Sequence, residues 1–352
     1  MDDKKKRLSW IDYARGVAII LVVYKHAAVG FISSGYLINS LLYDIQEILY
    51  NLRMPLFFIL SGVFIEKSLI RRGFKKFFSY KANTIIYPFL IWGIIQVLIQ
   101  VIASSYTNSQ KELSDLIYLL YFPRGIDPFW FLYTLFFIVI IYALLKRYLS
   151  LSKTKMMLTA LCFYFLSFYI KTDLFSINDI LFYFIYLILG VIASSYLLDK
   201  KVQNMLTSTK AFAIMIPIVI LCQYYWYTSH KGLVWFTDLQ GFDRIVFLPI
   251  TFVGSLLIFQ ISFFLSKYST LKILRYIGSH SLYIYVLHLI VTGMMRTLSV
   301  NLIGSNNATI AAILTIISGI FIPILFYKIT KKLRFYFLFE PKLSLSQIYG
   351  RQ

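Results

Sequence analysis

Residues 128–145 read PFWFLYTLFFIVIIYALL, eighteen consecutive residues without a charged side chain. Comparable apolar runs recur along the chain, near 13–31, 48–66, 82–103, 156–170, 179–198, 211–228, 242–265, 281–299 and 308–327. About 20 helical residues cross the hydrocarbon core of a bilayer, and only helices or closed barrels can cross it. Barrel strands alternate polar and apolar residues, which these runs do not. The sequence therefore predicts an all-α fold, a polytopic transmembrane helical bundle of about ten spans.

Composition leads to the same fold class. Of the 352 residues, 59% are hydrophobic and 14% are charged, whereas soluble domains carry about 25% charged residues. The segments between the runs are too short for a second domain, the longest being 32–47, 67–81 and 104–127. We therefore expect one membrane domain over 1–352, with short cytoplasmic tails at 1–12 and 328–352.

The net charge of +20 has an explanation in membrane topology. If the N-terminus lies inside, 26 lysine and arginine residues fall on the inner side of the bilayer and five on the outer side. Basic residues accumulate on cytoplasmic loops, so this asymmetry predicts that both termini are cytoplasmic. A nucleic-acid partner, which such a charge would suggest for a soluble protein, is not expected. The apolar composition predicts that membrane lipid surrounds the protein.

The first span contains four ionisable side chains, and such groups inside a membrane are candidates for function. Eleven residues separate Arg15 from His26, which places both on one helix face about 16 Å apart. Asp12 precedes Arg15 by three residues and can pair with it. Lys25 lies about 100° from His26 around the helix, so we expect it to point outward. A simpler alternative makes Arg15 an interfacial anchor and His26 a hydrogen-bonded core residue.

The ninth span carries a polar stripe at helical spacing, formed by Ser281, Tyr285, His288, Thr292 and Ser299. Such a stripe either joins helices to one another in lipid or lines a buried cavity, and the sequence leaves both open. Arg53 begins the second span at a depth similar to that of His26. It either flanks a pocket together with His26 or extends to the membrane surface.

Two cysteines, Cys162 and Cys222, lie inside apolar runs. We expect them to behave as buried small hydrophobic residues, and we expect no disulfide and no metal site.

Four sequence segments can be read together: residues 10–16 (WIDYARG) with His26 ten residues further on, 54–64 (MPLFFILSGVF), 129–132 (FWFL) and 281–288 (SLYIYVLH). Together they resemble the integral-membrane acyltransferase family 3, and most of all its fucose O-acetylase-like branch. The four occur in the family's order and together cover nearly the whole chain.

The resemblance implies a bacterial cytoplasmic (inner) membrane enzyme that moves an acyl group from acyl-coenzyme A to a hydroxyl of a cell-surface or lipid-linked carbohydrate. Acetyl-coenzyme A is the expected donor substrate, and no metal is implied. The implied catalytic residues are His26 as general base, Arg15 on the donor and Asp12 orienting Arg15. The implied donor-binding residues are Arg15, Arg72, Lys75, Lys76 and Lys81. The implied acceptor-binding residues are Arg53, Trp130, Tyr285 and His288.

The chain departs from the family pattern at two positions. Thr84 stands where a second basic residue often precedes the third-span proline, here Pro88. Arg53 stands where many members have a histidine, and a guanidinium cannot act as a base although it can bind an anion or a developing oxyanion.

Several alternatives remain open at this stage. An exporter or flippase of a lipid-linked sugar or polysaccharide would also have many spans and a polar interior, although the chain lacks the inverted repeats that transporters often show. A non-catalytic partner in polysaccharide assembly is a third reading. Trp130 could belong to an interfacial aromatic belt. The sequence also leaves open a succinyl donor and a homo-oligomer.

Overall fold

The structure is a computed structural model that describes residues 8–103, 111–232, 239 and 241–341. Its α-helices are α1 Ser9–Ser33, α2 Ser40–Ile48, α3 Arg53–Lys81, α4 Tyr87–Ile102, α5 Tyr118–Tyr121, α6 Trp130–Tyr148, α7 Lys153–Leu166, α8 Ile177–Leu197, α9 Lys200–Leu206, α10 Thr209–His230, α11 Gly241–Tyr268, α12 Lys272–Ser279, α13 Ser281–Ile303 and α14 Ala308–Lys332. A π-helix, Ala82–Ile86, joins α3 to α4. The ends of the two predicted cytoplasmic tails, 1–7 and 342–352, lie outside the described residues.

The prediction of an all-α membrane bundle is confirmed. Within the described ranges there is no strand, and eight helical stretches are long and apolar enough to cross a membrane. The predicted number was ten. Two predicted spans, 48–66 and 82–103, fall within one helical stretch, Ser40–Ile102. The predicted span 156–170 is the 14-residue helix α7, about 21 Å long and therefore short of the roughly 30 Å hydrocarbon core.

Gly73 divides the long helical stretch into two arms. Its backbone has φ 66° and ψ 163°, a conformation that glycine adopts without the steric cost that a Cβ would bring. The arm before Gly73 matches the predicted span 48–66, and the arm after it leads through the π-helix into 82–103. The segment 67–81, predicted to be a loop, is therefore helical on both sides of Gly73.

Two packing arrangements position the site. Helix α1 is central and contacts α2, α3, α11, α12, α13 and α14. Helices α3 and α8 approach closely at Gly62 and Gly190, where an added Cβ would lie 2.1 Å from the Leu187 carbonyl oxygen or 2.0 Å from that of Ile59. Small residues allow such close backbone contact between membrane helices. The contact holds α8 against α3 and so brings the start of α8 next to the first turns of α3 and α6.

Apolar side chains also cover much of the outer surface of the bundle. On α10, the residues Ile214, Ile218, Ile220 and Leu221 are exposed, as expected for a helix that faces lipid tails rather than water. Cys162 is exposed and Cys222 is partly exposed, and both are free thiols. The expectation that both are buried in the protein was wrong, because an apolar run also supplies residues to the lipid-facing side of its helix.

Candidate active site

A cavity lies between α1, α3, α6, α8, α11 and α13, with about 680 Å³ of empty space that includes open solvent. Four of the residues predicted for the site line it, namely His26, Arg53, Trp130 and Tyr285. Tyr50 and Arg124, from connections that the predicted topology places outside, also line it. The cavity therefore lies in the outer half of the bundle on that topology.

His288 packs beside His26 at this cavity. The two ring centroids are 5.1 Å apart and the ring planes meet at 59°. His288 is fully buried, and its Nδ1 lies 2.7 Å from the carbonyl oxygen of Tyr285. Because a carbonyl oxygen only accepts, this contact assigns the proton to Nδ1 and leaves a lone pair on Nε2. Within the described residues that Nε2 is buried and has no hydrogen-bond partner.

Arg53 flanks the same cavity, as one of the two sequence alternatives predicts. Only 6% of the residue is exposed. Its Nε donates to the Tyr50 carbonyl oxygen at 3.4 Å and its Nη1 to Gln46 Oε1 at 3.5 Å. The guanidinium also lies 5.0 Å from the centroid of the Tyr50 ring. Both hydrogen bonds are long and go to neutral oxygens.

Arg124 forms another wall of the cavity and was not among the residues predicted from the sequence. Its Nε donates to Asp179 Oδ2 at 2.8 Å, and its Nη2 donates to the second oxygen of the same carboxylate. A further carboxylate, that of Asp173, lies 3.6 Å away. Burial is the largest single influence and lowers the pKa of Arg124, but the charge and hydrogen bonds of Asp179, together with Tyr183 and Asp173, outweigh burial and raise the pKa above its ordinary value. Arg124 therefore remains charged.

Trp130 belongs to the cavity wall rather than to an interfacial belt. It is 8% exposed. The Arg124 guanidinium lies 4.5 Å from its ring centroid, and the Tyr183 ring lies 5.6 Å away at a tilt of 33°. Tyr285 is held in a similar way, because its hydroxyl donates to the carbonyl oxygen of Pro128. Both rings are thus fixed before any ligand enters.

The expectation that Lys25 points away from this face was wrong. Lys25 lines the same cavity as His26. It is close enough to Arg53, Asp127 and Arg124 for their charges to act on it. Two side chains about 100° apart on one helix, such as Lys25 and His26, fail to line the same cavity only when the cavity covers a narrow sector of that helix. Here the cavity is walled by six helices and is wide enough to receive both side chains.

The polar stripe of α13 serves both purposes that the sequence left open. Tyr285 lines the cavity, and His288 packs against His26 behind the cavity wall. Further along the helix, the Ser299 hydroxyl lies 3.4 Å from that of Thr315 on α14. Arg296 donates to the Gly30 carbonyl oxygen at 2.9 Å. The second half of the stripe therefore joins α13 to its neighbours.

The predicted donor-binding residues are only partly gathered. Arg15 and Arg72 lie close enough to Lys81 for their like charges to act on it. Arg72 packs 4.0 Å from the centroid of the Tyr80 ring. In contrast, Lys75 and Lys76 are exposed on the arm after Gly73. Asp12 is buried at 2% exposure, and its predicted pairing with Arg15 stays a prediction.

A second cleft, with about 1180 Å³ of empty space that includes open solvent, lies on the predicted cytoplasmic side. Its basic residues are Lys200, Lys267 and Arg275. None of the described donor-binding candidates lines it. No cluster of three His, Cys, Asp or Glu side chains that could hold a metal ion occurs in the described part of the chain.

Comparison with known proteins identifies the family. The family model of acyltransferase family 3, described as an acyltransferase domain, matches residues 8–328. No curated protein and no solved structure matches the chain. The matched region includes every helix from α1 to α13 and most of α14. The chain therefore belongs to acyltransferase family 3 and is a multi-pass membrane acyltransferase.

Proposed function

We propose that this protein transfers an acyl group, by default acetyl, from cytoplasmic acyl-coenzyme A to a hydroxyl of a cell-surface or lipid-linked sugar. The observation that carries the proposal is the pairing of His26 with His288 at a cavity in the outer half of the bundle. Family membership supports acyl transfer over the exporter alternative. The proposal includes a bacterial cytoplasmic membrane location, cytoplasmic termini and the fucose O-acetylase-like branch.

The reaction needs a base, because a sugar hydroxyl is a poor nucleophile until its proton is removed. In the proposed step, the hydroxyl oxygen bonds to the thioester carbonyl carbon while His26 takes the hydroxyl proton. The carbon–sulfur bond then breaks, and the proton passes from His26 to the departing thiolate. General base catalysis of this kind contributes about 10²- to 10⁴-fold.

His288 is proposed to position His26. A neutral imidazole has one N–H donor and one acceptor nitrogen. If His26 donates its N–H to the unpaired Nε2 of His288, its other nitrogen presents a lone pair to the substrate. The ring centroids are 5.1 Å apart and Nε2 of His288 has no partner among the described residues, so this hydrogen bond requires a small movement of the two rings toward each other. His288 itself keeps its proton on Nδ1, held by the Tyr285 carbonyl oxygen.

The donor is proposed to enter from the opposite side of the membrane. Arg15, Arg72 and Lys81 bring positive charge together, and guanidinium and ammonium groups suit the phosphates of coenzyme A. Helix geometry places Arg15 about 16 Å from His26, a distance that an extended pantetheine arm can span. Lys75 and Lys76 would add long-range attraction from the exposed arm.

The test uses the purified protein in detergent and acetyl-coenzyme A labelled in its acetyl group. Free coenzyme A and labelled sugar are measured for the wild type, for His26→Ala and for a matched control, His280→Ala. His280 hydrogen-bonds the Tyr276 carbonyl oxygen and does not line the cavity. We expect His26→Ala to lower turnover at least about 100-fold and His280→Ala to retain it. Equal turnover by wild type and His26→Ala would refute His26 as the base.

A further inference from the structure

Arg53 is a buried cation that lines the cavity with only weak protein contacts. Its two hydrogen bonds measure 3.4 and 3.5 Å, and both acceptors are neutral. A guanidinium normally forms shorter bonds, of about 2.7–2.9 Å, to charged acceptors. Arg244 provides the contrast within this chain, because it is also buried, at 1% exposure, does not line the cavity and donates to the Ser167 carbonyl oxygen at 2.7 Å. Arg53 lacks such a structural bond.

The carboxylates described near the cavity, Asp127, Asp173 and Asp179, act on Lys25 and Arg124. Arg124 is neutralised by the two-bond contact with Asp179. Lys25 faces the charge of Asp127. Among residues 8–103, 111–232, 239 and 241–341, no carboxylate forms an ion pair with Arg53. A buried charge without an ion-pair partner is costly in a medium of low dielectric, so the space beside Arg53 is electrostatically suited to a negative group of a ligand.

The position of Arg53 indicates which substrate supplies that charge. It stands at the start of α3 beside Tyr50, on the side where the predicted topology places the acceptor. The basic group formed by Arg15, Arg72 and Lys81 lies at the other end of the bundle and suits the donor phosphates. Arg53 also lies near enough to His26 for its charge to act on that ring. An anion on Arg53 would therefore be part of the molecule that presents its hydroxyl to His26.

We infer that the acceptor is an acidic sugar, whose carboxylate or phosphate binds Arg53 while a hydroxyl of the same molecule reaches His26. This inference rests on the proposed function, since it names the acceptor class of the same cavity. It differs from a role in stabilising the oxyanion of the transition state. An oxyanion role would affect every acceptor equally, whereas recognition of an acidic group affects only acceptors that carry one.

The experiment measures binding and turnover separately with three probes: methyl α-D-glucopyranoside, methyl α-D-glucuronide and glucose 1-phosphate. Equilibrium binding to detergent-purified protein tests the inference, and coenzyme A release from acetyl-coenzyme A tests the proposed function. The variants are Arg53→Gln, which removes the charge, and Arg53→Lys, which keeps it. Arg296→Gln is the matched control, because Arg296 bonds the Gly30 carbonyl oxygen away from the cavity.

We expect the wild type to bind at least one acidic probe about 10- to 100-fold more tightly than the neutral glucoside. Arg53→Gln removes this preference without changing neutral binding, Arg53→Lys keeps part of it, and Arg296→Gln keeps all of it. A preference for the glucuronide assigns a carboxylate, and a preference for glucose 1-phosphate assigns a phosphate. The inference is overturned if no acidic probe is preferred, or if Arg53→Gln weakens all three probes equally. Acidic preference without coenzyme A release would contradict the proposed function alone.

Discussion

Replacing Asp179 by asparagine removes the carboxylate that holds Arg124 in the cavity wall. Asp179 is fully buried and accepts two hydrogen bonds from Arg124, whose side chain is 9% exposed. Removing one partner of a buried ion pair leaves the other charge uncompensated and costs about 3–5 kcal/mol. Asp173, at 3.6 Å and with a half-exposed side chain, offsets part of that loss. We therefore expect Asp179→Asn to lower the free energy of unfolding by about 3 kcal/mol.

The assay is unfolding of the detergent-purified protein, followed by circular dichroism. A matched control is Glu66→Gln, which breaks the 3.1 Å pair with Lys146, whose two side chains are 25% and 34% exposed. That change is expected to cost less than about 1 kcal/mol. The double variant Asp179→Asn with Arg124→Gln removes both charges and should recover more than half of the lost stability. If Asp179→Asn costs no more than Glu66→Gln, the reasoning about this buried pair is wrong.

Two further predictions concern the site and the helix contact behind it. His288→Ala removes the acceptor proposed for His26, so kcat should fall about 10- to 100-fold with an unchanged KM for acetyl-coenzyme A. His288→Gln retains an acceptor oxygen and should recover part of kcat. Equal losses of kcat in both variants would argue for a purely structural role of His288. Gly190→Val places a Cβ 2.0 Å from the Ile59 carbonyl oxygen and should destabilise the bundle by about 3 kcal/mol. Thermal unfolding measures the loss, with Gly293→Val, at a position with open space around it, as the control. Equal stability of the two variants would contradict the close contact between α3 and α8.

The fold class could be predicted because it depends on the length and hydropathy of single segments, which can be read directly from the sequence. An apolar run of about 20 residues has few stable options in lipid other than a spanning helix. The number of spans was less well predicted because it depends on local backbone geometry. Gly73 interrupts a helical stretch that hydropathy alone divides into two spans and a loop, and α7 is shorter than the apolar run that contains it.

Only some of the cavity residues could be predicted, because the sequence shows the position of a residue on its own helix but not which other helices surround it. His26 and Arg53 could be matched in depth by counting residues, and the structure places both at one cavity. Lys25 was misplaced because rotation about a single helix does not reveal how many other helices surround it. The Arg124–Asp179 pair spans 55 residues of sequence and leaves no local pattern, so no periodicity or spacing could have identified it.

By itself, the sequence determined that the chain is an all-α membrane bundle and that His26, Arg53, Trp130 and Tyr285 are candidates for one site. Tertiary structure alone decided the pairing of His26 with His288, the ion pair in the cavity wall and the position of Arg53 at the cavity with only neutral hydrogen-bond acceptors. The physical reason is that hydropathy and helical periodicity are properties of a single segment of the sequence. Hydrogen bonding and charge compensation in a low-dielectric interior depend on distances between segments that only packing sets.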